Sequence, residues 1–506
     1  MRLSVVVTIL LVAACVSTTP VETITPTTGA AASAPQATVA GGTATATPRT
    51  AAQATPTPTA TVPPTPTTAV VASAEPPPEG VRACAYDPLL SVPADMPPEV
   101  TDREPPHVVV EQPANTPVDR QTTDDQLQVF NDLIDIITND YVYIDLVSLN
   151  FPALKTKYET LIEGGLTDDD FYLAMDNLIF ELGDEHSDFE DPQEVIELEE
   201  ETSGNADYVG VGVLMQPVPD ANRAVIVLTY PGGSAREGGV RAHDAILAVD
   251  GQPILDEEGV LQAQKVRGPE GTEVTLTIQT PGEVAHDVTL ERRRISSAAP
   301  VDFCMIPRTG VAYVMLPTLF DQTIPRKMRE AMRSLTDAGP LEGLILDNRV
   351  NGGGFSTVLE DLLALFTEGT LGNFVSRDDS RPLEIEANEI GNSQTVPMVV
   401  LVDLGTVSFA EVLSGVLQNS GRAQVVGQTT LGNVEVLWGY DFDDGSRAWI
   451  AHDAFEPKGL GLGVWEETGI VPDVSEPTRW DRFSEGTDPA LPVALDLLAD
   501  QGVPVP

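Results

Sequence analysis

The chain has 506 residues, enough for about three domains of ~150 residues each. Its 28 Lys and Arg residues stand against 77 Asp and Glu residues, which gives a net charge of −49. This balance argues against a nucleic-acid partner, because phosphate contacts need a basic surface. After position 20 no apolar run reaches the ~20 residues of a spanning helix, which excludes a polytopic membrane protein.

The N-terminus, residues 1–15, has the pattern of a bacterial secretion signal. A basic start and an apolar run lead through small residues into Cys15, which resembles the lipobox of bacterial lipoproteins. The alternative is an ordinary signal peptide with an Ala-x-Ala-type site. Lipidation of Cys15 predicts a protein on the extracytoplasmic face of a bacterial membrane. There Cys84 and Cys304 either form a disulfide or remain buried free thiols.

Residues 16–104 are predicted to be a stalk. Between 16 and 79 the sequence is almost entirely Thr, Pro, Ala, Val and Ser, with repeated Pro-Thr pairs. Such a composition favours an extended, semi-stiff chain that has no core. The stalk would hold the folded part of the chain away from a membrane.

Residues 105–204 are predicted to be a small helical domain. Apolar residues recur every three or four positions over 122–146, which predicts an amphipathic helix with Thr123 or Asp124 as its N-cap. A second helix is predicted to begin at Thr167, which stands at the start of a capping-box pattern.

Residues 205–297 resemble a PDZ domain. They contain, in order, a glycine-punctuated strand start, an apolar strand at 224–228, glycine-rich turns and an alternating strand at 274–278. The resemblance implies that a peptide C-terminus binds by strand addition, with its carboxylate held by a glycine loop. The residues of that loop are Val209, Gly210, Val211 and Gly212.

Strands and helices alternate over residues 298–480, which predicts an α/β core, and a tail helix is predicted over 481–506. An apolar strand at 341–346 leads into a glycine-rich turn. Another strand, at 397–403, leads into a helix that begins at Ser408.

Taken in this order, residues 120–475 resemble the carboxyl-terminal-processing (tail-specific) serine peptidases. The resemblance implies a multidomain α+β fold, with an N-terminal helical domain, a β-sandwich-like PDZ domain and an α/β peptidase core of the crotonase-like ββα type. The nucleophile of that family lies three residues before a glutamate, which assigns Ser408 before Glu411. The alternative for Ser408 is a plain N-cap in a capping box. The oxyanion donors implied by the resemblance are the backbone N–H group of Phe409 and that of either Gly352 or Gly353.

The lysine that serves as base in the common branch of this family is missing. Asn433 stands at its place, and an amide does not take up a proton near neutral pH. A tricorn-like branch uses a histidine and a glutamate with its serine, which assigns His186 as the base and Glu466 as its carboxylate. A histidine, with an ordinary pKa near 6.5, suits this role.

Alternatives remain for the base and its partner. Glu185 precedes His186 directly and is a second candidate for orienting the ring in place of Glu466. His452, in a predicted core strand, is the second candidate base. No metal ion and no cofactor are expected, because no His, Cys or Asp cluster has metal-ligand spacing.

The sequence therefore predicts a lipid-anchored extracytoplasmic serine endopeptidase. It would capture protein or peptide substrates by their exposed C-termini and hydrolyse them through an acyl-enzyme. The competing prediction is a catalytically inactive, PDZ-bearing receptor or scaffold with a decayed peptidase core. A third, an envelope- or polysaccharide-binding lipoprotein, depends only on the stalk and the acidic charge.

Overall fold

The computed structural model describes residues 81–84, 121–145, 149–183, 186–202, 208–256, 258–295, 299–337 and 339–505. The predicted lipidation site Cys15, most of the predicted stalk and Glu185 lie outside these ranges. Within them, no helix is both long and apolar enough to cross a membrane.

The first part of the folded chain is mainly helical, as the apolar spacing predicts. Its elements are α1 (Thr123–Asp140), α2 (Phe151–Glu163), α3 (Asp168–Phe180), β1 (Asp188–Glu190) and α4 (Pro192–Thr202). The N-cap of α1 is Thr122, so the prediction of Thr123 or Asp124 is wrong. Thr122 and Asp125 form a capping box, in which each side chain accepts the backbone N–H of the other residue. Thr167 caps α3 as predicted.

The central part is an antiparallel β structure around its own apolar core. Its elements are β2 (Tyr208–Gly210), β3 (Val213–Val218), β4 (Arg223–Thr229), α5 (Ser234–Glu237), β5 (Ala245–Val249), β6 (Gln252–Pro253), β7 (Glu273–Gln279), β8 (His286–Glu291) and β9 (Arg293–Ile295). The main sheet has the order β3-β4-β5-β7-β8, with β6 on β5, and β2 pairs with β9. Strand β3 is an edge strand, since β4 is its one partner among the described strands.

The last part alternates strands and helices. Its elements are β10 (Asp302–Met305), β11 (Val311–Met315), α6 (Ile324–Thr336), β12 (Gly343–Asp347), α7 (Ser356–Phe366), β13 (Gly369–Val375), β14 (Ser380–Ile385), β15 (Met398–Val402), α8 (Phe409–Asn419), β16 (Gln424–Gly427), β17 (Val436–Asp441), β18 (Arg447–Pro457), α9 (Val464–Thr468), β19 (Val474–Ser475), α10 (Trp480–Phe483) and α11 (Ala490–Asp500). One sheet has the order β10-β11-β12-β15-β16-β19 and is parallel apart from β10–β11. Its strands β12 and β15 are buried along their whole length, as continuous apolar runs in a parallel sheet require.

Two pairings determine which segments meet at the site. Strands β12 and β15 are parallel neighbours, so the turn after β12 and the helix start after β15 lie at the same sheet edge. In the second sheet, of order β1-β18-β13-β14 with β17 on β18, β1 joins the helical part to the core. Ser187, directly before β1, accepts the Ala451 N–H at 3.0 Å. His186 is thereby held beside the β17–β18 hairpin.

Cys84 and Cys304 form a disulfide, the first of the two predicted alternatives. Residues 81–84 run along β10. The Cys84 N–H donates to the Met305 carbonyl at 2.8 Å, and the Met305 N–H donates to the Arg82 carbonyl at 3.0 Å. The disulfide therefore links this short segment to β10, the edge strand of the sheet β10-β11-β12-β15-β16-β19.

Candidate active site

Ser408 lies between β15 and α8 in a backbone conformation that L-residues rarely adopt, with φ 58° and ψ −129°. An ordinary N-cap residue has extended backbone angles, so capping alone does not require this conformation. Strained strand-to-helix turns of this kind present the nucleophile in several hydrolases. The side chain is fully buried, and its Oγ has no hydrogen-bond partner of good geometry among the described residues.

Glu411, three residues after Ser408, is also fully buried. Its Oε2 accepts the Ser408 N–H at 3.0 Å, and its Oε1 accepts the Gly432 N–H at 2.7 Å. Burial raises the pKa of Glu411 to about 7, although hydrogen bonds from Thr430, Gly432 and Ser408 act in the opposite direction. Glu411 therefore joins the start of α8 to the loop of residues 430–435.

That loop ends in a second buried glutamate, Glu435, which contacts His186. The Nδ1 atom of His186 lies 3.0 Å from Oε1 of Glu435, and the two side chains are 2% and 0% exposed. A carboxylate at this distance favours the charged form of an imidazole. The charge of His186 also lowers the pKa of Glu411, against the larger effect of burial. The ring therefore lies within electrostatic range of the carboxylate that holds the Ser408 backbone.

Glu435 is a functional candidate that the sequence prediction missed. It stands between Val434 and the first residue of β17, so the available signal was a single acidic residue inside an apolar run. The structure places Glu435 against the ring of His186, whereas the role of Glu466 stays a prediction. Glu466 lies in α9, where its backbone carbonyl packs against Gly432.

Two other predicted positions lie close to the same loop. Asn433 is half-buried directly before Val434. His452 lies in β18, where its ring stacks on Trp438 with centroids 3.7 Å apart and its Nδ1 is 3.1 Å from Oδ2 of Asp453. In the part of the chain that the structure describes, no three His, Cys, Asp or Glu side chains are grouped to hold a metal ion.

The turn after β12, residues 350–354, is called the glycine turn here, and it packs against Ser408. A Cβ on Gly353 would lie 2.7 Å from Cβ of Ser408 and 3.2 Å from the Phe409 nitrogen, so no side chain fits there. Phe409 is the first residue of α8, and its N–H has no intrahelical partner. The Gly353 N–H donates to Oδ1 of Asn351 at 3.1 Å. The predicted oxyanion donors Gly352, Gly353 and Phe409 thus belong to two segments that meet at Ser408.

The predicted peptide-binding loop, residues 209–212, is a loop only in its second half, because Val209 and Gly210 belong to β2 and pair with β9. Its second half, Val211 and Gly212, is bound to the segment after β4. The Gly212 carbonyl accepts the Tyr230 N–H at 2.9 Å, and the Val211 carbonyl accepts the Ala235 N–H at 3.0 Å. Gly212 has φ 80°, which turns the chain into β3. The chain therefore passes directly from this segment into the edge strand β3.

Residues 310–475 match the family model described as peptidase family S41, and residues 225–280 match the model described as PDZ domain. A carboxyl-terminal-processing protease of Synechocystis sp. is 31% identical over 340 residues, which are 65% of this chain and 76% of that protein. A chloroplastic C-terminal processing peptidase of Tetradesmus obliquus is 29% identical over 320 residues, which are 60% of this chain and 67% of that protein.

Two solved structures are similar over most of the folded part. A photosystem II D1 C-terminal processing protease has 24% sequence identity and a TM-score of 0.47, covering 72% of this chain and 97% of that chain. The tricorn protease has 16% identity and a TM-score of 0.44, covering 75% of this chain and 37% of that chain.

Proposed function

Because the chain belongs to peptidase family S41, the carboxyl-terminal-processing proteases, and contains the predicted PDZ domain, we propose that it is an active serine endopeptidase that captures protein C-termini. The observation that carries this proposal is Ser408, a buried serine in a strained strand-to-helix turn, whose backbone Glu411 binds. A buried His–Glu pair lies within electrostatic range of that carboxylate. The second candidate function, an inactive tail-binding receptor, does not require the strained backbone conformation of Ser408.

In the proposed mechanism, the Ser408 oxygen attacks the scissile carbonyl carbon while Nε2 of His186 takes the hydroxyl proton. The N–H groups of Phe409 and of Gly352 or Gly353 hold the resulting oxyanion. The intermediate then breaks its C–N bond, and His186 returns the proton to the leaving amine. Water then attacks the acyl-enzyme carbonyl while His186 takes its proton. The bond to the Ser408 oxygen breaks, His186 returns the proton to Ser408, and the new carboxylate leaves.

Glu435 takes the role that the sequence gives to Glu466. Its contact with Nδ1 would fix the ring so that Nε2 is the basic nitrogen, and its charge would stabilise the imidazolium. This arrangement supplies a base without the lysine whose place Asn433 holds.

Substrate capture belongs to the PDZ domain. The edge of β3 that pairs with no other described strand can pair with an extended peptide, and the segment 209–212 lies at the end of that edge. The substrate class is therefore a protein or peptide with an exposed, unstructured C-terminus.

The test is hydrolysis of an unfolded protein substrate by the wild type and by Ser408→Ala. The variant should lose at least ~10³-fold in kcat/KM, while its Tm stays within a few degrees of the wild type. Ser420→Ala, which alters the exposed serine that caps the other end of α8, is the control and should keep full activity. No wild-type hydrolysis, together with a large drop in Tm for Ser408→Ala, would support the capping role instead.

A further inference from the structure

Arg349 is a fully buried arginine directly before the glycine turn, and it is held between two carboxylates. Its Nε and Nη2 donate to Asp347 at 2.9 and 2.6 Å, and its Nη1 and Nη2 donate to Asp488 at 3.2 and 2.7 Å. All three residues are at most 3% exposed. Two bidentate, charge-assisted contacts fix a guanidinium in one orientation.

Asp488 comes from the C-terminal segment, beyond the residues 310–475 that match the peptidase family. It lies between α10 and α11, where its Oδ1 also accepts the Ala490 N–H at 3.3 Å. From α10, the Trp480 ring lies 5.5 Å from the guanidinium carbon of Arg349. The C-terminal segment therefore holds Arg349 with both a carboxylate and an aromatic ring.

Val350, the first residue of the glycine turn, has φ 57°. A β-branched residue is an outlier in this left-handed region, and such strain persists only where the surroundings fix the backbone. After Val350, the Asn351 carbonyl accepts the Val407 N–H at 3.0 Å, one residue before Ser408. Arg349 thus holds one end of a strained turn whose other end packs against Ser408.

We propose that Asp488 is a positioning residue for hydrolysis at Ser408. Its two hydrogen bonds with Arg349 keep the glycine turn in the conformation that binds the oxyanion. The inference rests on the proposed function and extends it to a residue outside the matched peptidase region. A purely structural role predicts instead a drop in Tm that the loss of kcat follows, because removing one charge of a buried ion pair destabilises the folded chain.

The first test is Asp488→Asn, which keeps the side-chain size and removes the charge. We expect kcat to fall ~10-fold or more and KM to change by less than about threefold, because only the transition state carries the oxyanion. The Tm should stay within a few degrees. Asp496→Asn, which alters an exposed carboxylate on α11, is the matched control and should behave as the wild type.

The second test is rescue at the strained residue. Glycine adopts positive φ without strain, so adding Val350→Gly to the Asp488→Asn chain should restore at least half of the lost kcat. The inference would be overturned if kcat fell only as far as the drop in Tm explains and if Val350→Gly did not restore it.

The third test is hydrogen exchange, which does not depend on hydrolysis. Amides of the glycine turn should exchange faster in Asp488→Asn than in the wild type, whereas amides of α8 should be unchanged. This readout separates the inference from the proposed function, whose failure would show in Ser408→Ala. Wild-type kcat and wild-type exchange of the turn in Asp488→Asn would overturn the inference.

Discussion

Two buried glutamates belong to the candidate site, and the contacts give them different roles. Glu411 accepts backbone N–H groups and so holds the helix start and the following loop in place. Glu435 contacts the side chain of His186. An acid that binds amides shapes a site, whereas an acid that contacts an imidazole changes the properties of the base.

The first residue-scale prediction separates the two candidate carboxylates. Glu435→Gln keeps the size but cannot stabilise an imidazolium, so kcat/KM should fall ~10²-fold or more. His186→Gln should lose at least as much, and the double variant should lose little more, because the two residues act as a unit. Steady-state kinetics on a fluorogenic peptide provide the measurement. Glu466→Gln is the control and should stay near the wild type; the reverse ranking of the two glutamates would show that Glu466 holds the role.

The second residue-scale prediction concerns stability and pH. The pKa of Glu411 is raised from 4.5 to about 7 by burial, so the folded chain keeps a proton that the unfolded chain releases between these values. The stabilising contribution of the protonated form is therefore complete below pH 4.5 and is lost as the pH rises to 7. This change amounts to ~3 kcal/mol.

Glu411→Gln cannot ionise and should lack that pH dependence. Urea unfolding of both chains at several pH values gives the difference, because titrating groups far from Glu411 contribute equally to each. If the free energies of unfolding of the two chains differed by the same amount at every pH from 4.5 to 7, the buried carboxyl would not titrate in this range.

At the scale of elements, local patterns were sufficient for the strand–turn–helix that carries Ser408. An uninterrupted apolar run predicts β15, and the serine and glutamate spacing predicts the start of α8. Helix α2 was missed, since its 13 residues bury only three side chains and the exposed Leu161 lies next to one of them and obscures their spacing. The pairing of His186 with Glu435 was also missed, because β1 and β18 come from distant parts of the chain and their register is not encoded locally.

The element-scale prediction concerns β3 and its loop. A peptide with a free C-terminal carboxylate should bind the Ser408→Ala chain at least ~10-fold more tightly than its C-terminal amide, because the loop binds the charged end. The inactive variant prevents cleavage during calorimetry. Equal affinities of the two peptides would mean that the domain does not recognise a terminus.

At the scale of the whole molecule, the site draws on separate regions of the chain. The helical part supplies His186, the peptidase core supplies Ser408 and Glu435, and the C-terminal segment supplies Asp488. Hydrolysis should therefore require all three regions to be folded together. The disulfide between Cys84 and Cys304 fits an oxidising compartment, whereas lipidation at Cys15 and an extracytoplasmic location stay predictions.

The central claim is that Ser408 is an activated nucleophile, and labelling with a fluorophosphonate probe tests it most directly. The wild type should gain one adduct, which peptide mass spectrometry places on Ser408. Ser408→Ala should gain none, and His186→Gln should react much more slowly because it lacks the base. A folded wild type that the probe leaves unmodified, or equal labelling of Ser408→Ala, would contradict the account.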